Sequence, residues 1–472
     1  MQNKKNILVV DLDRSLIRSD MLYETFWSAF SINWRIFFRA FFLIFASRLK
    51  LKDYLYRQSD VDVTTLPYNK KVIAIIRSRQ AMGHKIVMAT ATHHKLAKKI
   101  ATHVGLFDDV HGSDQTNLKG QRKADVILNA YPGASIEYIG DHKTDLQLWR
   151  KSDRAISVDA GPRLRRNIED IGIAFEHLDT APRSGLALIK SLRLYQWSKN
   201  ALVFVPMITS QEFTLEVFLI SITAFVSFGM IASCMYIFND LCDLKSDRVH
   251  DRKKNRPFAS GMARIDQGFF LGSGIGLSGL VLASFVSIQF FYCVLIYLLA
   301  TLSYSVYLKR ILIVDLFVLA SLYTIRIIGG GLAAEIMISF WLIVFSVFFF
   351  FSLAAIKRMA ELIGLTQKSQ QKVPGRDLHT SDLPVITHLA TSAGLVSVLV
   401  FTLYLNSPEV KLLYSSPTFL GGICLALAYW ISRLAIITQR GQMHDDPLIF
   451  ALKDRVSYVC LAIILLLLAT GA

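Results

Sequence analysis

The chain has 472 residues, of which 53% are hydrophobic, with a mean hydropathy of +0.41 and a formal net charge of +16. That is too apolar for one ordinary soluble protein and long enough for two or three domains, so part of the chain sits in lipid. Much of the positive charge lies in short loops between apolar blocks, where membrane topology and anionic lipid or phosphate ligands account for it, so nucleic-acid binding is discounted.

Residues 1–184 alternate short apolar runs with charged stretches. The run KNILVVDLDRSLIRSD predicts a strand ending on Asp11, with Asp13 pointing the same way and Ser15 beyond it. The apolar stretch Ile7 to Val10 is too short for a secretory signal. The next segment, ETFWSAFSINWRIFFRAFFLIFASRLKLKDYL, is apolar enough for a membrane helix. A single crossing there would part Asp11 from the strand KIVMAT, which ends at Thr90. The segment is therefore expected to be a helical cap over about residues 17–80. Its aromatics Phe26, Phe30, Trp34, Phe37, Phe41 and Phe45 recur at helical spacing, with Arg35 and Arg39 between them. Such a cap either grazes the bilayer or packs on the core. His93 and His94 are read as solvated. Lys119 follows in NLKGQRKA at a helix start, and the strand IEYIG leads into Gly140, Asp141, His142, Lys143, Thr144 and Asp145.

From residue 185 to 472 long apolar blocks dominate. Nine spans are expected, at 200–214, 216–238, 267–286, 289–307, 312–332, 337–356, 384–404, 417–437 and 455–471. Loop 239–266 holds seven Lys/Arg, 308–311 two, 357–383 five and 438–454 two, against Lys411 alone in the intervening loops. By the positive-inside rule these basic loops and the N-terminal domain are cytoplasmic. The five cysteines, Cys234, Cys242, Cys293, Cys424 and Cys460, lack metal spacing and are read as packing residues.

The loop NDLCDLKSDRVHDRKKNRPFASG carries the strongest chemical signal in this half. On a helix Asn239, Asp243 and Asp247 share one face, with Asp240 beside them. Stacked carboxylates repel unless a cation sits among them. Hard oxygen donors imply Mg²⁺, and Mg²⁺ at a membrane mouth implies a diphosphate, which Lys253, Lys254 and Arg256 then hold.

The four motifs of the first domain resemble those of the haloacid dehalogenase superfamily of phosphohydrolases, over roughly residues 5 to 175. The resemblance implies a Rossmann-like α/β fold, Asp11 as nucleophile and Asp13 as general acid and base. It also implies Thr90 and Lys119 on the phosphoryl oxygens, and Mg²⁺ on Asp11, the backbone of Asp13 and Asp141, with Asp145 supporting. Arg14 stands where a glycine is often found. The second half resembles the UbiA superfamily of intramembrane prenyltransferases, which implies an all-helical bundle.

Where that family has a second aspartate-rich motif, this chain reads AAIKRMAEL, with Lys357, Arg358 and Glu361. Two further stretches look like the polyprenyl-phosphate phosphoribosyltransferase branch. They are LRLYQWSKNALVFVP, with Lys199 and Asn200, and YSVYLKRILIVDLFVLASLYTIRIIGG, with Tyr304, Lys309, Asp315 and Arg326. The resemblance implies a bifunctional enzyme of the inner membrane. It transfers 5-phosphoribose from phosphoribosyl diphosphate to polyprenyl phosphate, using Asp243 and its neighbours, and the first domain dephosphorylates the product. Lys199, Lys309, Arg326, Lys357 and Arg358 are candidates to orient the two anions. The alternative is an aromatic prenyltransferase of the quinone type with a phosphatase of unrelated substrate. No role is read for Asp445 and Asp446.

Overall fold

The computed structural model describes residues 5–180, 184–367, 369, 371–373, 376–406, 420–443 and 446–471. Lys411 and Asp445 lie outside them. The chain divides into two compact units, Met1–Leu192 with Tyr236–Gly272, and Arg193–Met235 with Ser273–Ala472. The loop carrying Asn239 to Gly261 thus belongs with the N-terminal region.

The first unit is built on six parallel strands: β1 (Asn6–Val10), β2 (Lys85–His93), β3 (Asp109–Ser113), β4 (Ser135–Gly140), β5 (Arg154–Val158) and β6 (Ala174–Leu178), in the order β3-β2-β1-β4-β5-β6. A parallel sheet is covered on both faces, which is why its central strands read NILVV and KIVMAT without alternation. Leu8, Val10 and Met88 enter one core, and Ile7, Val9 and Val87 the other. Strand order reverses at β1, so the crevice beyond the carboxyl ends of β1, β2 and β4 is where a ligand site is expected.

Between β1 and β2 the cap forms from three helices, α1 (Met21–Ile32), α2 (Ile36–Ala46) and α3 (Arg48–Gln58). Asp20 caps α1 by accepting from the Leu22 amide, and Ser47 caps α3 from Lys50. A fourth helix within the expected 17–80, Lys70–Ala81, packs Val72 and Ile76 into the sheet core and is part of the α/β layer. The break at Asn33 to Arg35 splits the aromatic stripe. Phe26 and Phe30 pack around Trp27 and Phe238, whereas Phe38, Phe42 and Phe45 on α2 are 57%, 71% and 78% exposed.

In the second unit and the segments joining it, seven described helices are long and apolar enough to cross a membrane: Leu215–Cys242, Ile265–Val286, Ile288–Val306, Val314–Ala334, Phe340–Thr366, Thr380–Leu405 and Gly421–Gln439. The expected count of nine is therefore reduced to seven among the described residues. Arg455–Gly471, with 17 residues, is shorter. The expected first span is a tight 3₁₀ segment, Leu194–Phe204, continued by Val205–Ser210. It runs antiparallel to Leu215–Cys242: Trp197 donates to Ser233 and its ring meets Phe225, while Phe204 meets Phe218. At about 2.0 Å per 3₁₀ residue and 1.5 Å per α residue, the pair extends about 31 Å.

Candidate functional sites

In the first unit, β1 delivers Asp11 and β4 delivers Asp141 to the same crevice. One carboxylate oxygen each from Asp11, Asp141 and Asp145 lie within 4.8 Å of one another. Gly140 makes this possible, since a Cβ there would meet Asp145 Oδ2 at 2.8 Å. Asp145 Oδ2 accepts from the amides of Asp141 and His142 at 3.3 and 3.0 Å. The cation beside these carboxylates is Lys123. Its Nζ donates to Asp11 at 2.9 Å, to the Tyr138 hydroxyl at 2.9 Å and to Asp145 at 3.4 Å. Lys119, expected in this place, lines the surrounding cavity instead. Helix Gln121–Ala130 buries Lys123, Ala124 and Ile127 on its inner face, and only Lys123 of the local basic residues points that way.

Burial pushes the Asp11 carboxyl up to about 7, with Lys123 pulling it back and Asp145 and Asp13 pushing it further. Burial and then Asp11 and Asp145 raise Asp141 well above the carboxylate range. One fixed ammonium is too little for this charge density, and buried hard oxygens so arranged fit a divalent cation.

Asp13 accepts from the Met21 amide at 2.7 Å, Thr92 Oγ1 at 2.9 Å and Thr90 Oγ1 at 3.4 Å. Thr92 was not foreseen. Nor was Lys52 of α3, which reaches from the cap to the Ala91 carbonyl and to Asn117. His93 is not solvated; its ring stacks on Tyr56 of α3 at 4.3 Å and its side chain is 12% exposed. These groups open on a cavity of about 720 Å³, also lined by Trp27, Phe37, Ala40, Phe41, Ile44 and Phe269.

The second acidic group, in the same unit, is arranged differently. The helix ends at Cys242, Asp243 leaves helical geometry, and Leu244–Val249 resumes it. Asn239 Nδ2 donates to Asp243 at 2.9 Å. Asp240 and Asp247 share Arg256, at 3.1 and 2.6 Å. Arg256, expected to hold a diphosphate, is thus tied to the carboxylates, because a fixed cation relieves their mutual repulsion. Burial pushes Asp247 up to about 6 although Arg256 lowers it. Lys253 is exposed in the turn Lys253–Asn255.

In the second unit the helices gather a basic cluster from distant positions. Lys199 and Lys357 both donate to Asp446 at 3.0 Å. Burial favours a neutral Asp446, but Lys357 and Lys199 outweigh it and hold its carboxyl well below the usual range. Arg326, buried in Val314–Ala334, donates to Asn200 at 2.8 Å and to the Tyr297 hydroxyl at 2.7 Å, and both Arg326 and Lys199 lie over the Tyr323 ring. Arg358 bonds Asp315 at 2.8 Å, Tyr304 at 3.3 Å and Glu361; Arg376 bonds the same Tyr304 and Asp315. Lys309 lies in the turn Leu308–Arg310. Arg376 was missed in the sequence, and Asp446 was named there without a role.

A model of the UbiA prenyltransferase family matches residues 201–452. The chain is 32% identical to the uncharacterized protein y4nM of Sinorhizobium fredii, over 98% of this chain and 90% of that protein. It is also 32% identical to the decaprenyl-phosphate phosphoribosyltransferase of Mycolicibacterium smegmatis, over 37% of this chain and 57% of that one. The N-terminal region matches a solved phosphoserine phosphatase at 14% identity, over 35% of this chain and 91% of that one, with a TM-score of 0.27. The matched family model, over more than half of the chain, leads to one statement of kinship: this multi-pass membrane chain belongs to the UbiA prenyltransferase family.

Proposed function

We infer that the chain transfers 5-phosphoribose from phosphoribosyl diphosphate to a polyprenyl phosphate, and that its N-terminal domain removes the 5-phosphate from the lipid product. The observation that carries the first half is the charge of the basic cluster. Among the described residues, the carboxylates that bond Lys199, Lys357, Arg358 and Arg376 are Asp315, Glu361 and Asp446, while Arg326 bonds only the neutral groups of Asn200, Tyr297 and the Leu322 carbonyl. Five cations against three carboxylates leave positive charge for an anion, as a lipid phosphate acceptor requires and an aromatic acceptor does not. Lys199 and Lys357, whose ammonium groups meet at Asp446, are suited to orient that phosphate. Asn239, Asp240, Asp243 and Asp247 offer hard oxygen donors for the diphosphate's cation, and Arg256 and Lys253 flank them.

For the second half, Asp11 attacks the phosphorus while Asp13 gives its proton to the departing ribose oxygen. Asp13 then takes a proton from the water that cleaves the aspartyl phosphate, which regenerates Asp11 and releases inorganic phosphate. Lys123 neutralises the phosphoryl oxygens. Mg²⁺ held by Asp11, Asp141 and Asp145 would remove the repulsion between nucleophile and phosphate. A lipid-borne substrate is supported by α2, which is apolar on both faces. Phe37, Phe41 and Ile44 line the cavity, and Phe38, Phe42 and Phe45 face outward. Apart from Arg39, which lies over the Tyr54 ring, the helix presents apolar side chains to the cavity and outward, as a helix between a lipid-binding cavity and the bilayer does.

The N-terminal domain and loop 239–266 share one unit and hence one side of the membrane. Its basic residues favour the cytoplasmic side by the positive-inside rule, and an inner-membrane location belongs to the same proposal. The test is direct. Full-length protein in detergent is offered either phosphoribosyl diphosphate with polyprenyl phosphate or prenyl diphosphate with 4-hydroxybenzoate, and lipid products are weighed by mass spectrometry. A ribosylated lipid phosphate is expected; a prenylated aromatic acid would replace this reading with the aromatic one.

A further inference from the structure

Arg14, directly after Asp13, has φ +58, a left-handed backbone that glycine adopts without strain and arginine does not. Its side chain does what glycine cannot: Nη2 reaches Asp266 at 3.3 Å and Asp20 at 3.5 Å. Asp266 opens helix Ile265–Val286, at the far end of the aspartate-rich loop, and is also held by Arg264 at 2.6 Å.

The loop is gripped a second time through α1. Asp13 holds the first amide of that helix, at Met21, and one turn on Glu24 meets Arg248. The pair is bidentate at 2.6 and 3.0 Å, with side chains 4% and 6% exposed. The Ser19 hydroxyl donates to the same carboxylate, and Arg248 Nε donates to the Ala259 carbonyl at 3.0 Å. Arg248 directly follows Asp247, the residue that holds Arg256. Behind these ion pairs Trp27 shares one apolar core with Ile237, Leu241, Leu244, Phe258, Ala263 and Ile265. At Gly261 the loop lies so close to the phosphatase that an added Cβ would meet Arg18 Cβ at 2.7 Å.

A buried bidentate pair adds little net stability but fixes registry, because neither partner tolerates losing the other. We propose that α1, through Glu24, and the turn before it, through Arg14, form the strut that sets the aspartate loop of the transferase, making Glu24 and Arg14 positioning residues for a reaction whose chemistry lies outside the phosphatase. This rests on reading Asn239 to Asp247 as the donor loop. Both sites thereby depend on one helix: its first amide on Asp13 serves the phosphatase, and its carboxylate on Arg248 serves the transferase.

The test uses the full chain in detergent and two readouts. Glu24→Gln keeps the side-chain volume and removes the charge. Hydrogen exchange across residues 240–261 should lose protection by about tenfold or more, and transfer from phosphoribosyl diphosphate should fall about 10–100-fold, the usual cost of removing a supporting partner, with KM for the donor raised. Arg248→Gln should do the same. The double variant should be no worse than either single change, as coupled residues require. Unchanged exchange in the single variants, or additive losses in the double, overturns the strut. Should Glu24→Gln not fold, Arg14→Gly relieves the backbone and removes the Asp266 contact, and faster exchange at 262–268 is expected. Exchange decides the strut whatever donor the transferase uses, so a failed donor assignment is distinguishable from a failed strut.

Discussion

Two groups of aspartates stand in the same structural unit and solve the same electrostatic problem in opposite ways. Asp11, Asp141 and Asp145 converge within 4.8 Å around one buried lysine, and burial still lifts Asp11 to about 7. Asp240 and Asp247 instead close on the guanidinium of Arg256, and Asp243 is paired with Asn239. The first group is preorganised with charge left to satisfy. The second ties two of its three carboxylates to one guanidinium, and burial still lifts Asp247 to about 6. With one fixed cation to three carboxylates in each, the difference shows that an aspartate-rich motif does not by itself describe a metal site; what matters is whether the fold brings the oxygens to one point and where it puts the cation.

The sharpest break of the comparison is Lys123→Met. It leaves Asp11 and Asp145 buried without their partner, so stability should fall by about 3–5 kcal/mol. Hydrolysis of a phosphomonoester should drop roughly 10²–10³-fold. Lys119→Met, on the cavity wall, should cost far less on both counts; thermal melting and steady-state kinetics separate the two lysines. Next, Mg²⁺ at one hundred times its dissociation constant should stabilise the protein by about 2.7 kcal/mol through the preorganised group. That gain should disappear in Asp141→Asn and survive in Asp243→Asn. Asp243→Asn should nevertheless lower transfer about 10–100-fold, the cost typical of disturbing a metal's surroundings, while phosphomonoester hydrolysis is kept. Measuring both activities on each variant checks that the groups act independently.

The smallest effect concerns the basic cluster. Asp446→Asn should cost about 1–3 kcal/mol by leaving Lys199 and Lys357 without their shared carboxylate. The Asp446 carboxyl is depressed below its usual value, so the stabilisation is present above the unfolded pKa of about 3.9. It is lost only as pH falls through the lower folded value. The melting difference between wild type and variant should therefore stay level from pH 8 to pH 5.

Local patterns in the sequence carry much of this. The strand ending on Asp11, the Gly140–Asp145 turn and the loop from Asn239 are each contiguous, so their types and spacing show where they fall. Lys123 was within reach as well: it shares a helical face with Ile127, four residues on, whereas Lys119 precedes the helix. The Arg14 left-handed turn made sense only with Asp266 in view. Glu24 with Arg248, 224 residues apart, and Lys199 with Asp446, 247 apart, are set by packing across the fold and leave no local trace. Where a span was expected at 200–214 stand two short helices, Leu194–Phe204 and Val205–Ser210, neither among the seven candidate spans; the 3₁₀ winding hides the helical period, and the close approach of Val203 to Gly330 is invisible to a hydropathy window.

That one chain makes a ribosylated lipid and then strips its 5-phosphate is tested most directly by comparing wild type with Asp11→Asn, each given phosphoribosyl diphosphate and polyprenyl phosphate, with lipid products resolved by mass spectrometry. Wild type should yield polyprenylphosphoryl ribose, and Asp11→Asn the same lipid still carrying its 5-phosphate. Identical 5-phosphorylated lipids from both proteins would contradict the coupling of the two sites.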